Sequence, residues 1–223
     1  MDSTAASAHR TPHRHPLGYN LGAIAVLVGL AALGLAYAID AMERSSGTPA
    51  SASTALVTRT LGGTTLTIPA DWLADDSGQQ GGFAKQVDLR LSLPLGPDAA
   101  PREIDVTLTQ RSRVRPSASL LDGVYLHQFQ QAQLSGPVGL IGKPLRASDG
   151  FEGETVWYDP LRSNPFVAKC QAAVVAGAPA KCLRTVYLGS GIAAVYAFDD
   201  DVLPNWRKFD AALHPLLDRI GAL

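Results

Sequence analysis

Apolar and polar positions alternate with a period of two over 87–93 and again over 104–109. Successive side chains of a strand point to opposite faces, so both stretches predict strands with one buried face. Residues 64–68 read as another strand, stopped by Pro69. From 117 the period becomes helical. Leu120, Leu121, Val124, Tyr125 and Phe129 fall on one face, while Gln128, Gln130, Gln131 and Gln133 fall mainly outside it. Ser117 is placed to cap that helix, and Gly136-Pro137 to end it. Short β-rich runs follow at 140–146, 154–159, 170–175, 183–188 and 192–198. The last two are joined by Gly189-Ser190-Gly191, a hairpin signal. The chain closes on a stripe of Trp206, Phe209, Leu213, Leu216, Leu217 and Ile220, which predicts an amphipathic helix over 203–220. Pro204 suits its first turn. Pro215 removes an interior hydrogen bond and predicts a kink or break near Ala211 and Ala212. The predicted fold class is α+β: a mainly antiparallel sheet packed with an internal helix and a C-terminal helix.

A different pattern precedes this domain. Residues 21–39 are 19 consecutive uncharged positions. At 1.5 Å per residue they span about 28 Å, close to the hydrocarbon core of a bilayer. Tyr19 and Tyr37 stand near the two ends, where amphipathic rings favour the interface. Arg10, Arg14 and three histidines lie on the N-terminal side, against Asp2 alone; Asp40, Glu43 and Arg44 lie on the other. Positive charge stays cytoplasmic, so the N-terminus is predicted inside and the domain outside. In a bacterium this is a single-pass inner-membrane protein with a periplasmic domain. Ala36-Tyr37-Ala38 also satisfies the rule for signal-peptide cleavage, but the apolar run exceeds a usual signal core and lacks a polar segment before the cut, which favours a retained anchor. Gly18, Gly22, Ala25, Gly29, Ala32 and Ala36 fall on one helical face of the span, where small residues admit a second helix; a stripe can also arise by chance in so Ala/Gly-rich a segment.

The organisation that follows is a disordered cytoplasmic tail at 1–16, a transmembrane anchor at 17–40, a flexible linker at 41–55 and a periplasmic α+β domain at 56–223. The tail is Ser/Thr/Ala/His-rich with two prolines and no periodicity. Its histidines read as part of a solvated basic segment that sets topology rather than as metal ligands. The linker offers nothing to pack.

Composition then removes whole classes of function. The chain of 223 residues carries 19 Lys+Arg and 20 Asp+Glu, a net charge of −1. A generally basic nucleic-acid binder is excluded, and no nucleic-acid partner is expected. Two cysteines exclude a four-cysteine zinc site and a cysteine-ligated iron–sulfur cluster. There is no phosphate-binding glycine loop, dinucleotide fingerprint or haem-attachment motif, so no cofactor is expected.

Cys170 and Cys182 are the firmest chemical feature. Both follow the predicted span, and a lone pair in an oxidising compartment bridges. They flank 176–180, Ala-Gly-Ala-Pro-Ala, which places them across a hairpin. Eleven intervening residues are far from the spacing of a redox-active dithiol. Arg111, Arg113 and Arg115 alternate and would share a face of an extended segment. Such a stripe is either a solvated face or a contact for anionic headgroups or an acidic partner. Asp199, Asp200 and Asp201 precede the last helix, where carboxylates favour its positive end. A metal is not expected there, because the calcium-loop pattern is absent. Ser190 lacks the frame of a nucleophile elbow, and His127 and His214 stand far from it in sequence, so no catalytic residue is assigned.

The run Leu66-Thr67-Ile68-Pro69-Ala70-Asp71-Trp72, a strand passing into a Pro-x-x-Trp turn, resembles the opening of the Mog1/PsbP-like fold. The order of elements over 56–223, closing on a helix that carries Trp206, is similar as well. The resemblance implies an antiparallel sheet covered by an aromatic-bearing last helix. It also implies a binding or assembly module of the kind found in lipoproteins, thylakoid-lumen subunits and secretion accessories, and it brings no catalytic residues.

The reading that results is a membrane-anchored, non-catalytic periplasmic domain, an assembly, accessory or scaffolding component of a membrane complex. Its partners would be membrane lipids and a membrane protein. The alternative is a small-ligand or lipid-binding envelope protein, with a pocket between sheet and helix; a hydrolase with dispersed residues is a more remote third.

Overall fold

Burial follows the alternation seen in the sequence. In β4 (Gln86–Leu93) Val87, Leu89, Leu91 and Leu93 are buried and every residue between them is exposed. β5 (Arg102–Gln110) buries Ile104, Val106 and Leu108 in register with them, Leu89 opposite Val106. On the outer face of this pair the polar residues bind one another: Thr107 Oγ1 donates to Asp88 at 2.6 Å, and Arg90 meets Asp105 at 3.2 Å.

The computed structural model describes residues 55–74, 82–189 and 191–223. β4 and β5 open a seven-stranded, wholly antiparallel sheet that continues through β6 (Ile141–Pro144), β7 (Glu154–Tyr158), β8 (Val167–Gln171), β9 (Lys181–Tyr187) and β10 (Ile192–Asp199). Its order is β4-β5-β10-β9-β8-β7-β6. The hairpin predicted around Gly189 and Gly191 joins β9 to β10, with Tyr187 opposite Ala193. A second sheet is small. β1 (Leu56–Leu61) and β2 (Thr64–Pro69) form a tight antiparallel hairpin, and β3 (Gly82–Ala84) runs parallel to β1. The turn is Gly62-Gly63, with φ of +60° and +93°. Two positive φ values are what a two-residue hairpin matching the strand twist requires, and glycine accepts them without strain.

One face of the large sheet carries the main core. Phe209, Leu213 and Leu217 of the C-terminal helix (Trp206–Arg219) pack there with Leu61, Leu66 and Ile68 of the small sheet and with Tyr196 and Phe198 of β10. Phe209 lies against three rings, those of Phe198, Tyr196 and Phe166, at 4.8, 5.5 and 6.0 Å between centroids. The Thr67 N–H donates to the Ile220 carbonyl, which joins the end of the helix to β2. On the opposite face the internal helix lays Leu121 and Tyr125 over Leu145, Val156 and Val167. Leu73 bridges to Leu89 beside β4, and Phe129 and Leu134 bridge to Leu145 and Gly142 beside β6, so irregular segments pair with both outermost strands.

Several expectations are corrected. The internal helix is three successive stretches, Ser117–Leu120, a π-helical turn Leu121–Tyr125 and Leu126–Gln128, and it ends well before Gly136. Phe129 leaves the helical conformation to stack on Tyr158 at 5.9 Å, and pairing with β6 takes the backbone bonds that further helix would have used. Ser117 does not cap it: Pro116 occupies the cap position, and the Ser117 hydroxyl binds elsewhere. The final helix begins with a 3-10 segment, Asp200–Asn205, and then runs unbroken through Pro215. Pro215 and Ala211 are both exposed, so the carbonyl that loses its partner faces water, while buried Leu213 and Leu217 hold the helix from either side. β8 lies at Val167–Gln171 rather than 170–175, because Phe166, Ala168 and Cys170 are the residues in phase with the core.

The stretch 21–39, with Gly18, Gly22, Ala25, Gly29, Ala32 and Ala36, lies outside the described residues. Among those described, no helix is long and apolar enough to cross a membrane.

Candidate functional site

β8 and β9 pair over only three residues. Gln171, Cys170 and Lys169 face Lys181, Cys182 and Leu183, and beyond Leu183 the ladder stops. β8 continues beside β7, Val167 opposite Tyr158, while β9 continues beside β10. The sheet therefore contains a fork. Its closed end holds the directly opposed Cys170 and Cys182, which form a disulfide and are both buried. At its open end the Thr185 N–H, which continued pairing with β8 would have engaged, donates to Ser117 Oγ at 2.8 Å. The N-terminus of the internal helix thereby fixes β9 in its diverging position.

Arg184 sits in this fork and breaks the strand's own pattern. In β9 the leucine at 183 is 46% exposed and the arginine beside it only 6%. Arg184 is in phase with Cys182 and points to the core side. A buried guanidinium is tolerated only when paired and hydrogen-bonded. Here Nη2 donates to Asp210 Oδ2 at 2.7 Å and Nε approaches Oδ1 at 3.4 Å, a fork-to-fork geometry. The Phe166 ring lies under the guanidinium at 4.5 Å, so its flat face rests on π density.

Two further arginines converge on the same place. Arg207, one turn before Ala211 on the C-terminal helix, stacks on the Trp206 indole at 4.7 Å. Trp206 is itself anchored by donating Nε1–H to the Val138 carbonyl at 3.2 Å. Arg162 projects from the loop between β7 and β8, its side chain 77% exposed, with Asp159 3.6 Å away. Asp159 is buried and accepts the Leu161 N–H at 3.0 Å, which shapes the loop that carries Arg162 and Asn164. The three arginines, Asn164, Trp206 and Asp210 line a cleft of about 320 Å³. A second hollow of about 180 Å³ shares Asn164 and Arg184 and extends along Pro165, Thr185 and Tyr187 towards Pro116. Beneath the cleft lies Tyr196, whose hydroxyl is held neutral well above its ordinary range, first by burial and then by the charge of Asp210, with Arg184 opposing.

This arrangement can grip an anion or a polar chain. It offers no general base beside a hydroxyl nucleophile, and among the described residues no three His, Cys, Asp or Glu side chains are grouped to hold a metal.

No protein-family model matches the sequence, and no match is found among curated proteins. One solved structure is similar in fold. It is Smlt3025, an immunity protein of the Stenotrophomonas maltophilia type IV secretion system, at a TM-score of 0.50 and 16% identity, covering 75% of this chain and 93% of that one. At that identity the likeness concerns the fold.

The residues singled out in the sequence are dispersed. Arg111 and Arg113 lie on a 3-10 turn, Arg111–Arg113, so the extended stripe they were expected to form with Arg115 is replaced by a bend. All three are exposed, and Arg111 rests on the Tyr187 ring at 4.1 Å. Asp199 and Asp201 make no capping bond to the last helix. Asp199, the last residue of β10, pairs with Lys181 directly opposite it on β9, and Asp201, in the 3-10 segment, accepts from Arg102 of β5 at 2.6 Å. His127 and His214 are both exposed, and Ser190 lies outside the described residues. Trp72 ends a 3-10 turn after β2, packed against the core with Arg219 over its ring at 5.6 Å.

Arg184, Arg207, Arg162 and Trp206 were not assigned a binding role from sequence. One signal for Arg184 was present. With Cys182 in a disulfide and therefore inward, period two carries Arg184 inward too. The other members come from separate loops and elements, and no local pattern links them.

Proposed function

We propose that the chain is an exported, membrane-tethered and non-catalytic domain that acts by holding a protein partner, as an accessory or scaffolding component of a bacterial inner-membrane complex. The observation that carries this reading is the hairpin above the disulfide. Residues 172–180 are all Ala, Val, Gly or Pro, without one hydrogen-bonding side chain. Val174 and Val175 stand 102% and 70% exposed at its tip. Apolar side chains held out on a braced support are a contact waiting for a partner rather than scattered surface residues. The fold likeness to an immunity protein of a secretion system supports an accessory role. So does the resemblance to the Mog1/PsbP-like fold, whose members serve largely as binding modules. The 19-residue uncharged stretch supplies the tether.

The test is affinity capture of the full-length chain from its own membranes in mild detergent. A stoichiometric protein partner is expected, lost in a V174D/V175D variant whose melting temperature is unchanged. A partner-free chain, or equal capture by the variant, refutes the reading.

A further inference from the structure

We infer that the fork between β8 and β9 is a carboxylate-recognition site, built from Arg184, Arg207 and Arg162 over the rings of Phe166 and Trp206. The inference stands apart from the partner-binding hairpin, which lies at the other end of β8 and β9, and either can fail alone.

Three lines lead to it. The first is charge. Three guanidinium groups line the cleft with one carboxylate, Asp210, and even with buried Asp159 beside Arg162 counted the cations exceed the anions by one. Arg207 makes no ion pair among the described residues and rests on the Trp206 indole at 4.7 Å. A cleft with surplus positive charge and a low-dielectric aromatic floor attracts and holds anions. The second is preorganisation. Two of the three guanidinium groups sit over aromatic rings, at 4.5 and 4.7 Å; the Arg184 edge already holds Asp210, while Arg207, stacked on its indole, keeps its N–H groups for a ligand. Holding the donors in advance lowers the entropy lost on binding. The third is the Arg184–Asp210 pair, which displays the geometry the site selects. A planar carboxylate lies across the Nε–Nη2 edge, with its better bond at 2.7 Å. Asp210 is 60% exposed, so the pair opens directly onto the cleft. A planar carboxylate is the anion whose shape matches a guanidinium edge, and Arg207 and Arg162 line the same cleft. A phosphate dianion fits less well, since it concentrates both negative charges on one group beside Asp210, whereas a dicarboxylate spreads its two along the cleft.

The cleft's size admits two sources of that carboxylate. A free dicarboxylate fits within the 320 Å³ space. An acidic side chain of an extended peptide would also run its backbone into the adjoining hollow, past Asn164 towards Pro116 and Tyr187.

The full-length chain, purified in detergent, is titrated by calorimetry and by tryptophan fluorescence, since Trp206 lines the cleft. The probes are succinate, the blocked tripeptide acetyl-Asp-Glu-Asp-amide, its neutral counterpart acetyl-Asn-Gln-Asn-amide, and inorganic phosphate. Saturable binding of succinate or the acidic tripeptide is expected, weakening with salt and at least about tenfold weaker in R162Q and R207Q, as loss of a charge-assisted bond requires. Both arginines are solvent-facing, so these variants keep the fold, and their melting temperatures verify it. R90Q, on the outer face of the β4–β5 pair, should bind like the parent chain. A clear advantage of the tripeptide over succinate assigns the peptide source, and equal binding assigns the small dicarboxylate. No saturable binding, equal binding of the neutral tripeptide, tighter binding of phosphate, or undiminished binding in R162Q and R207Q each overturns the inference.

Discussion

At the scale of single residues, the most demanding contact in the domain is that of a tryptophan with two glycines. The six-membered ring of Trp157 lies across Gly136 and Gly142, and a Cβ added at Gly142 would stand 2.4 Å from its Cζ3. Gly142 is buried in β6 and pairs directly with Trp157, so neither backbone can yield. G142A should therefore destabilise the domain by about 1–3 kcal/mol through overpacking. A W157L background should recover part of the loss in a double-mutant cycle followed by thermal melting, and simple additivity would contradict the contact. Tyr196 offers a second test. Its folded-state pKa is raised above the ordinary 10.0 by burial, with Asp210 adding to the effect. A group whose folded pKa is raised gives stability that is complete below its unfolded pKa and is lost as pH rises above it. Stability should fall as pH climbs through about 10, where the unfolded chain ionises and the folded one does not. Y196F should flatten that alkaline limb when unfolding is followed by urea titration at successive pH values. An unchanged limb would assign the loss to other groups.

At the scale of elements, the disulfide and Ser117 act on the same pair of strands from opposite ends. The bond spans a separation of 12 residues. Closing a loop of that size stabilises by roughly 3 kcal/mol in the chain-entropy view. C170A/C182A should lose about that much, and the oxidised chain should show no thiol reactive to Ellman's reagent without reductant. Appreciable labelling of the native protein would remove the bond from the account. β4 and β5 were legible because one buried face imposes period two and they emerge close to where the alternation puts them, while β10 emerges close to where a β-rich run after a glycine turn puts it. β1 and β3 were not, since a six-residue run with Arg59 in its middle and a three-residue run carry no distinctive period. The internal helix was recognised by its apolar face yet overextended. Its end is set by Phe129 finding Tyr158 and by an open strand edge at β6, and both are facts of three-dimensional proximity.

At the scale of the whole molecule, the two ends of one strand pair differ in chemistry. The tip at 172–180 presents apolar side chains, while the open fork presents guanidinium groups. If residues 21–39 carry the domain across a bilayer, alkaline phosphatase fused after Leu223 should be active in intact cells, whereas β-galactosidase fused there should not be. An inactive but stably expressed phosphatase fusion would place the domain in the cytosol.

What the chain by itself determined is what depends on neighbours along it: an uncharged run long enough for a bilayer, a charge bias across that run, an α+β succession of elements, and two cysteines placed to meet over a short turn. These follow from periodicity, composition and spacing, which are local quantities. Only the tertiary structure decided which side chains converge. The cleft takes Arg162 from a loop, Arg184 from a strand and Arg207 from the final helix, brought together because β8 parts from β9 after three pairs. Where two strands part is settled by packing on both faces of the sheet at once, and no window of sequence contains both faces.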